Sequence, residues 1–397
     1  MAVLITAADR ASFRRCRRQW DFGARTRQDL EPLDRPRGPD LDRAVRDALA
    51  VYYFPGMWDW DRGVRLPLVG QELERALTRQ RQGCGDEAGS AVWQEALEAG
   101  RALLDRYTEW AATADRFSPV LVETDFEVNV LDPVRPEAGL VAAAGETIRY
   151  TGRIDLLAVD AHDAYWIVRH RVVDGDWTPT GQLVADEEAL AACWAWEQFY
   201  LGMAITGTVY NELRLAPSEP RRRAGWSFRG LRSRAATGQS FRGLRSRAAT
   251  RRPAVRQHEP SGGGRSIPQH RRMYAQARAP RRVAPIEQRT EDGFRRTWLR
   301  RTPADITEAG RRLGADVAEM TREDVEVYPV PSAANCVPCP YFEPCRALQA
   351  GRDAQPILLA RYRTRPAVAP QEGRLGGRAW GLGRGAAPPK FRRGQDG

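Results

Sequence analysis

The stretch TIRYTGRIDLLAVDAHDAYWIVRHRVV, residues 147–173, decides the fold. Residues 147–160 and 164–173 each read as a strand, and the turn-forming residues 160–163 (DAHD) between them read as a hairpin connection. Arg169, His170 and Arg171 stand where the second strand should be most buried. Residues two apart on a strand face the same side, so Arg169 and Arg171 are expected side by side. In a chain whose only lysine is Lys390, two arginines on one strand face need a reason.

Working outward from the hairpin, residues 88–112 show helical spacing, with Val92, Leu97, Leu103, Leu104 and Tyr107 near one side. PVLVETDFEVNV, residues 119–130, alternates as a strand, and Glu123 and Glu127 share a face of it. Residues 185–205 read as a buried helix with acids in its first turn, which suits the helix dipole. Residues 206–215 form a fourth strand. The order α-β-β-β-α-β belongs to an α/β fold with a mixed sheet and helices packed on it. Farther on, residues 294–301 read as a strand. Residues 302–320 read as a helix with Thr302 as N-cap, Pro303 at the first helical position and Asp305 completing a capping box.

The formal charge of +11 is unevenly spread. Residues 217–289 hold 19 Arg and 3 Glu, and residues 351–397 hold 9 Arg, 1 Lys and 3 acids. What is left, 1–216 and 290–350, carries −12. The basicity therefore sits in an insertion, 216–289, and a tail, 351–397. Both are Gly-, Pro- and Arg-rich, a composition that cannot bury enough apolar surface to order itself. Such segments can tether electrostatically to a polyanion without folding. SFRGLRSRAAT at 227–237 recurs at 240–250, a duplication too short for a solenoid. No run of about 18 apolar residues exists, so no membrane span is expected. The opening MAVLITAADR is apolar over too few residues for a secretory signal, and a cytoplasmic protein is expected.

Six cysteines in such a chain point to metal or reactivity before disulfides. Cys336, Cys339 and Cys345 form C-x2-C-x5-C, a spacing typical of metal thiolates. Cys16, Cys84 and Cys193 are the candidates for a fourth ligand, and Cys16, in an N-terminal amphipathic helix, is favoured. Spacing alone allows zinc or an iron–sulfur cluster. No G-x-x-x-x-G-K-[ST] phosphate loop occurs, and no histidine pairs with a serine or cysteine motif, so an ATPase and a nucleophilic hydrolase are not expected.

With these residues laid out, the chain resembles the RecB-like, four-cysteine branch of the PD-(D/E)XK nucleases over about residues 5–215 and 290–348. The resemblance implies a nuclease-like core plus N- and C-terminal helical segments joined to each other by a [4Fe–4S] cluster held by Cys16, Cys336, Cys339 and Cys345. In that family an acid in a GRID motif and a D/E-x-K on the next strand bind a divalent ion. Here GRID is intact at 152–155, which makes Asp155 the first acid. The D/E-x-K falls on Arg169-His170-Arg171. Arg46 matches a histidine that many members carry in an early helix. The family's Q-x-x-x-Y has only an echo, at residues 190–194.

Magnesium and manganese need carboxylate ligands, and a guanidinium would repel them. The expectation is an impaired nuclease-fold protein in which Asp155 pairs with Arg169 or Arg171, with the other arginine binding nucleic acid or with the pair a purely structural buried one. DNA or a DNA-processing protein would be the partner. Two alternatives stand beside it: an active metal-dependent exonuclease using Asp155 and Glu123, and an interaction protein in which zinc or an iron–sulfur group only staples the fold.

Overall fold

The computed structural model describes residues 2–34, 38–83, 89–215, 286–291 and 293–365. Cys84, the duplicated segment at 227–250 and the tail beyond residue 365 lie outside the described residues.

Strand β4, Ile148–Asp160, organises the sheet. β3, Phe117–Asn129, pairs antiparallel along nearly all of one edge, from Phe117 opposite Asp160 to Asn129 opposite Arg149. The other edge is shared. β5, Tyr165–Val173, runs antiparallel to residues 156–159, and β1, Val3–Thr6, runs parallel to residues 148–151. Residues 152–155, the GRID motif, lie between these two partners. β5 continues beyond Val168, its last pair with β4, and pairs in parallel with β6, Ile205–Arg214. β6 pairs antiparallel with β8, Phe294–Arg300, and β8 with β7, Ile286–Glu291. The fold is α/β with a mixed sheet, and its strand order is β1-β4-β5-β6-β8-β7, with β3 beside β4.

Helices cover both faces. On one face lie α3 (Leu41–Tyr52), α4 (Arg62–Gln82) and α5 (Ser90–Ala114), whose apolar sides meet Val122, Leu156, Val168 and Leu213. On the other lie α7 (Glu187–Phe199) and α8 (Pro303–Met320), packed on Tyr150, Ile154, Leu157 and Ile167. Each fully buried Leu, Ile or Val contributes roughly 1.5–3 kcal/mol. The expected start of α8 is present: Thr302 caps Asp305 N–H and Asp305 returns the bond. A short α6, Thr180–Val184, precedes α7.

α1 (Ala7–Arg15) and α2 (Arg17–Gly23) meet end to end at Cys16, whose extended backbone breaks the helix in two. The single N-terminal helix expected there is therefore a pair. Part of the segment expected to be a flexible basic tail, 351–397, forms regular structure. α11, Gln355–Arg361, is followed by β9, Tyr362–Thr364, which pairs antiparallel with β2, Leu30–Pro32. α9 (Ala333–Cys336) and α10 (Phe342–Gln349) complete this layer. Phe22, Tyr341, Ala347, Leu358 and Tyr362 form its small core, so apolar packing and the β2–β9 ladder join the two ends of the chain.

Candidate functional site

β4 rolls over at Asp155. Leu156 and Ala158 point into the core beneath α3–α5, whereas Tyr150 and Ile154, of the same parity, point into the core beneath α7 and α8. β3 does the same between Val122 and Phe126. Between them Glu123 adopts φ 43°, a left-handed conformation that a side chain with a Cβ rarely takes. Val122 pairs with Leu156 and Thr124 with Ile154, so Glu123 stands across from Asp155. A Cβ added at Gly152 would lie 2.5 Å from the Phe126 ring, which explains the glycine of the motif.

The parting of β4 and β5 leaves strand N–H groups facing the gap. Asp155 Oδ2 accepts the N–H of His170 at 2.8 Å, and Asp42 Oδ1, from α3, accepts the N–H of Val172 at 2.8 Å. The two carboxylates thus replace a partner strand. Arg46, one turn along α3, lies 3.0 Å from Asp42 and 3.9 Å from Asp155. Arg46, matched in the sequence only to a histidine position of an early helix, is thus the arginine nearest the motif acid. Burial works against its charge, but Asp155 and Asp42 hold its pKa above the ordinary arginine value. Burial raises the Asp42 pKa above the usual range. Burial, reinforced by the neighbouring Asp155, pushes Glu123 up to about 7. Glu123 also accepts a bond from Arg153 at 3.2 Å. Glu127, by contrast, is an exposed partner of Arg149.

Arg169 and Arg171 do not pair with Asp155. Arg169 reaches Glu188 at 2.7 Å and Asp186 at 3.3 Å, and Arg171 lies 3.7 Å from Asp186. Both acids belong to the start of α7, where Asp186 is the N-cap. The expected pairing fails because Asp155 turns to the α3 side at the strand roll, while residues 169 and 171 face α7. The acids that do pair were visible in the sequence only as favourable charges at a helix start. The nearest echo of Q-x-x-x-Y, residues 190–194, supplies the buried Leu190, Cys193 and Trp194 to the fold and no polar group to this gap.

His170 opens a buried polar network. Its ring stacks on Tyr53 with centroids 5.5 Å apart, and its Nδ1 lies 2.9 Å from Asn211 Nδ2. Asn211 also reaches the Tyr107 hydroxyl at 2.7 Å, and the hydroxyls of Tyr53 and Tyr107 are 2.6 Å apart. Arg296, 1% exposed, pairs with Asp115 at the centre. Burial, with the charges of Arg296 and Arg46 adding to it, drives the His170 pKa down to about 3. No local sequence pattern marks this network, because its members come from four separate elements and two loops.

Cys16, Cys336, Cys339 and Cys345 line one pocket together with Phe22, Val330 and Tyr341. Val330 N–H approaches Cys16 Sγ at 3.5 Å. Cys193 is buried in α7 near Thr208 Oγ1, as a core residue. Among the described residues, no group of three or more His, Cys, Asp or Glu side chains is disposed to hold a metal ion. This corrects the expectation of a metal-binding, iron–sulfur or zinc centre. The four thiols share a pocket without closing into a ligand set, and burial raises the Cys339 pKa to about 11 and that of Cys345 above its ordinary value. Asp155, Glu123 and Asp42 form no such group either, with Arg46 standing among them. Among the described residues, no helix is long and apolar enough to cross a membrane.

No protein-family model matches this chain, and no curated protein matches it.

Proposed function

We propose that the protein is a PD-(D/E)XK-like fold without cutting chemistry of its own, which binds nucleic acid or a partner that processes it. The single observation that carries this reading is Arg46 set 3.9 Å from Asp155 in the gap between β4 and β5. A guanidinium there supplies the positive charge that a divalent ion would bring, yet it cannot polarise a water or accept a ligand. Asp155 and Asp42 are engaged as acceptors of strand N–H groups, a structural task. The order α-β-β-β-α-β with parallel β5 and β6 supports the likeness of fold. Binding is supported by composition: the 19 Arg against 3 Glu in residues 217–289 suit a polyanion.

The test uses the full chain with end-labelled single- and double-stranded DNA in the presence of manganese. The expected result is binding that weakens steeply with salt, and no cleavage. Cleavage that disappears in Asp155→Ala would overturn the non-cutting part of the reading. Affinity that is absent, or indifferent to salt, would overturn the nucleic-acid part.

A further inference from the structure

Among the described residues, β1, β3 and β7 each have a single neighbour in the main sheet. Two of these edges are blunted. β3 carries Pro119, a register shift between Pro119 and Leu121, and the left-handed backbone of Glu123. β1 spans only Val3–Thr6. Irregularity and shortness of this kind keep a sheet edge from pairing with another chain. β7 has neither. Its ladder with β8 runs unbroken from Ile286 opposite Leu299 to Glu291 opposite Phe294. It holds no proline or glycine, and every residue except the half-buried Arg289 is exposed.

The phase of the ladder fixes which groups β7 turns outward. Arg214 N–H donates to the Gly293 carbonyl at 2.8 Å, and Arg301 N–H to the Thr206 carbonyl at 2.9 Å. Along one strand of an antiparallel ladder the bonds to a given neighbour fall on every second residue. Odd-numbered residues of β8 therefore bond β6, and Phe294, Arg296 and Trp298 bond β7 at Glu291, Arg289 and Glu287. The N–H and C=O groups of Ile286, Gln288 and Thr290 are left on the open edge, without a backbone partner among the described residues. Such a row is a template for one more strand.

The order of charges selects that strand. Glu287 and Arg289 flank Gln288. A second β7 laid antiparallel about a two-fold axis at Gln288 sets Gln288 opposite Gln288, Ile286 opposite Thr290, and Glu287 opposite Arg289 on both sides of the axis. Ile286, Gln288 and Thr290 then exchange backbone hydrogen bonds. The opposite charges fall at the non-hydrogen-bonded positions, where side chains approach most closely. The nearest registers that keep the bonds in phase set Arg289 opposite Arg289 or Glu287 opposite Glu287, and like charges directly opposite are destabilising. Within the chain Glu287 pairs with Arg116 and Arg289 with Glu291. These are surface pairs, which hold their members loosely.

We propose that β7 is an interface for a second copy of this chain, forming a two-fold dimer in which the two sheets join edge to edge about Gln288. The same surface is used on both copies, so the assembly closes at the dimer. The proposal goes beyond the nucleic-acid reading above and does not depend on it.

The test is sedimentation equilibrium of the full chain over a concentration series. A small edge contact associates weakly, so a monomer–dimer equilibrium with a dissociation constant between about 1 μM and 1 mM is expected. Arg289→Glu sets acids opposite one another across the axis, and Glu287→Arg sets arginines opposite one another. Each variant alone is expected to dimerise about tenfold more weakly or worse. Mixed in equal amounts, the two variants meet with opposite charges at both positions, and dimers are expected to return at about wild-type strength. Gln288→Pro removes an outward N–H and leaves the bonds to β8 in place. It is expected to abolish the dimer while the circular-dichroism signature is kept. Should a charge variant lose that signature, Gln288→Pro carries the test alone. Wild-type protein that stays monomeric at about 1 mM overturns the proposal. Dimers that persist in Gln288→Pro, a mixture no stronger than its components, or assembly beyond two copies overturn it as well.

Discussion

Asp155 accepts the backbone N–H of His170 across the gap where β4 and β5 part, at 2.8 Å. The motif acid is therefore a strand cap before it is anything else. Asp155→Ala leaves that N–H facing a gap without an acceptor and is expected to cost about 1–3 kcal/mol. Asp155→Asn retains a carbonyl oxygen and is expected to cost less. Urea unfolding of the two variants checks this; an alanine variant as stable as the wild type removes the structural role.

Glu123 carries a pH dependence of defined sign. Its folded-state pKa, about 7, lies above the ordinary 4.5. The stability tied to its proton is thus fully present below about pH 4.5 and is lost as pH rises through about 7. Glu123→Gln is expected to stabilise the protein at pH 8 by up to about 3 kcal/mol and to change little at pH 4.5. The lost bond to Arg153 reduces the gain, although Arg153 keeps Asp125. Melting temperatures of both proteins across this range decide the matter, and a gain at low pH with none at high pH contradicts it.

His170 titrates in the opposite sense. With its pKa depressed to about 3 from 6.5, it contributes stability above about pH 6.5 that is lost progressively as pH falls toward 3. Its ring resonances are expected to stay those of neutral imidazole down to about pH 4.5, where exposed histidines are already charged. An NMR titration of the four histidines reads this directly, and a His170 midpoint near 6.5 rules it out.

Arg296 and Asp115 form a buried pair, and removing one member strands the other. Arg296→Leu alone is expected to cost about 3–5 kcal/mol. The Arg296→Leu/Asp115→Leu double variant is expected to recover much of that, because it leaves no unpaired buried charge. Additive losses in the double-mutant cycle would falsify the coupling.

Much of the fold was legible in the chain because its signals are local. The strands at 119–130, 147–160, 164–173 and 206–215 appear within one or two residues of Phe117–Asn129, Ile148–Asp160, Tyr165–Val173 and Ile205–Arg214. The Thr302–Pro303–Asp305 cap appears as read, since a capping box needs only four consecutive residues. The gathering of Cys16 with Cys336, Cys339 and Cys345 around one pocket was also expected. Among the described residues no metal-holding group was found.

The amino-acid order by itself determined the succession of strands and helices, the two-residue alternation that gives each strand an inner face, and the concentration of positive charge in two segments. Only the tertiary structure decided which partners the charged side chains meet. Arg169 and Arg171 found acids at the start of α7, and Asp155 found Arg46 and a strand N–H. The physical reason is the roll of β3 and β4 at Glu123 and Asp155. It turns side chains of one parity from one core to the other without shifting the pairing, so no count along the chain can reveal which face an acid takes.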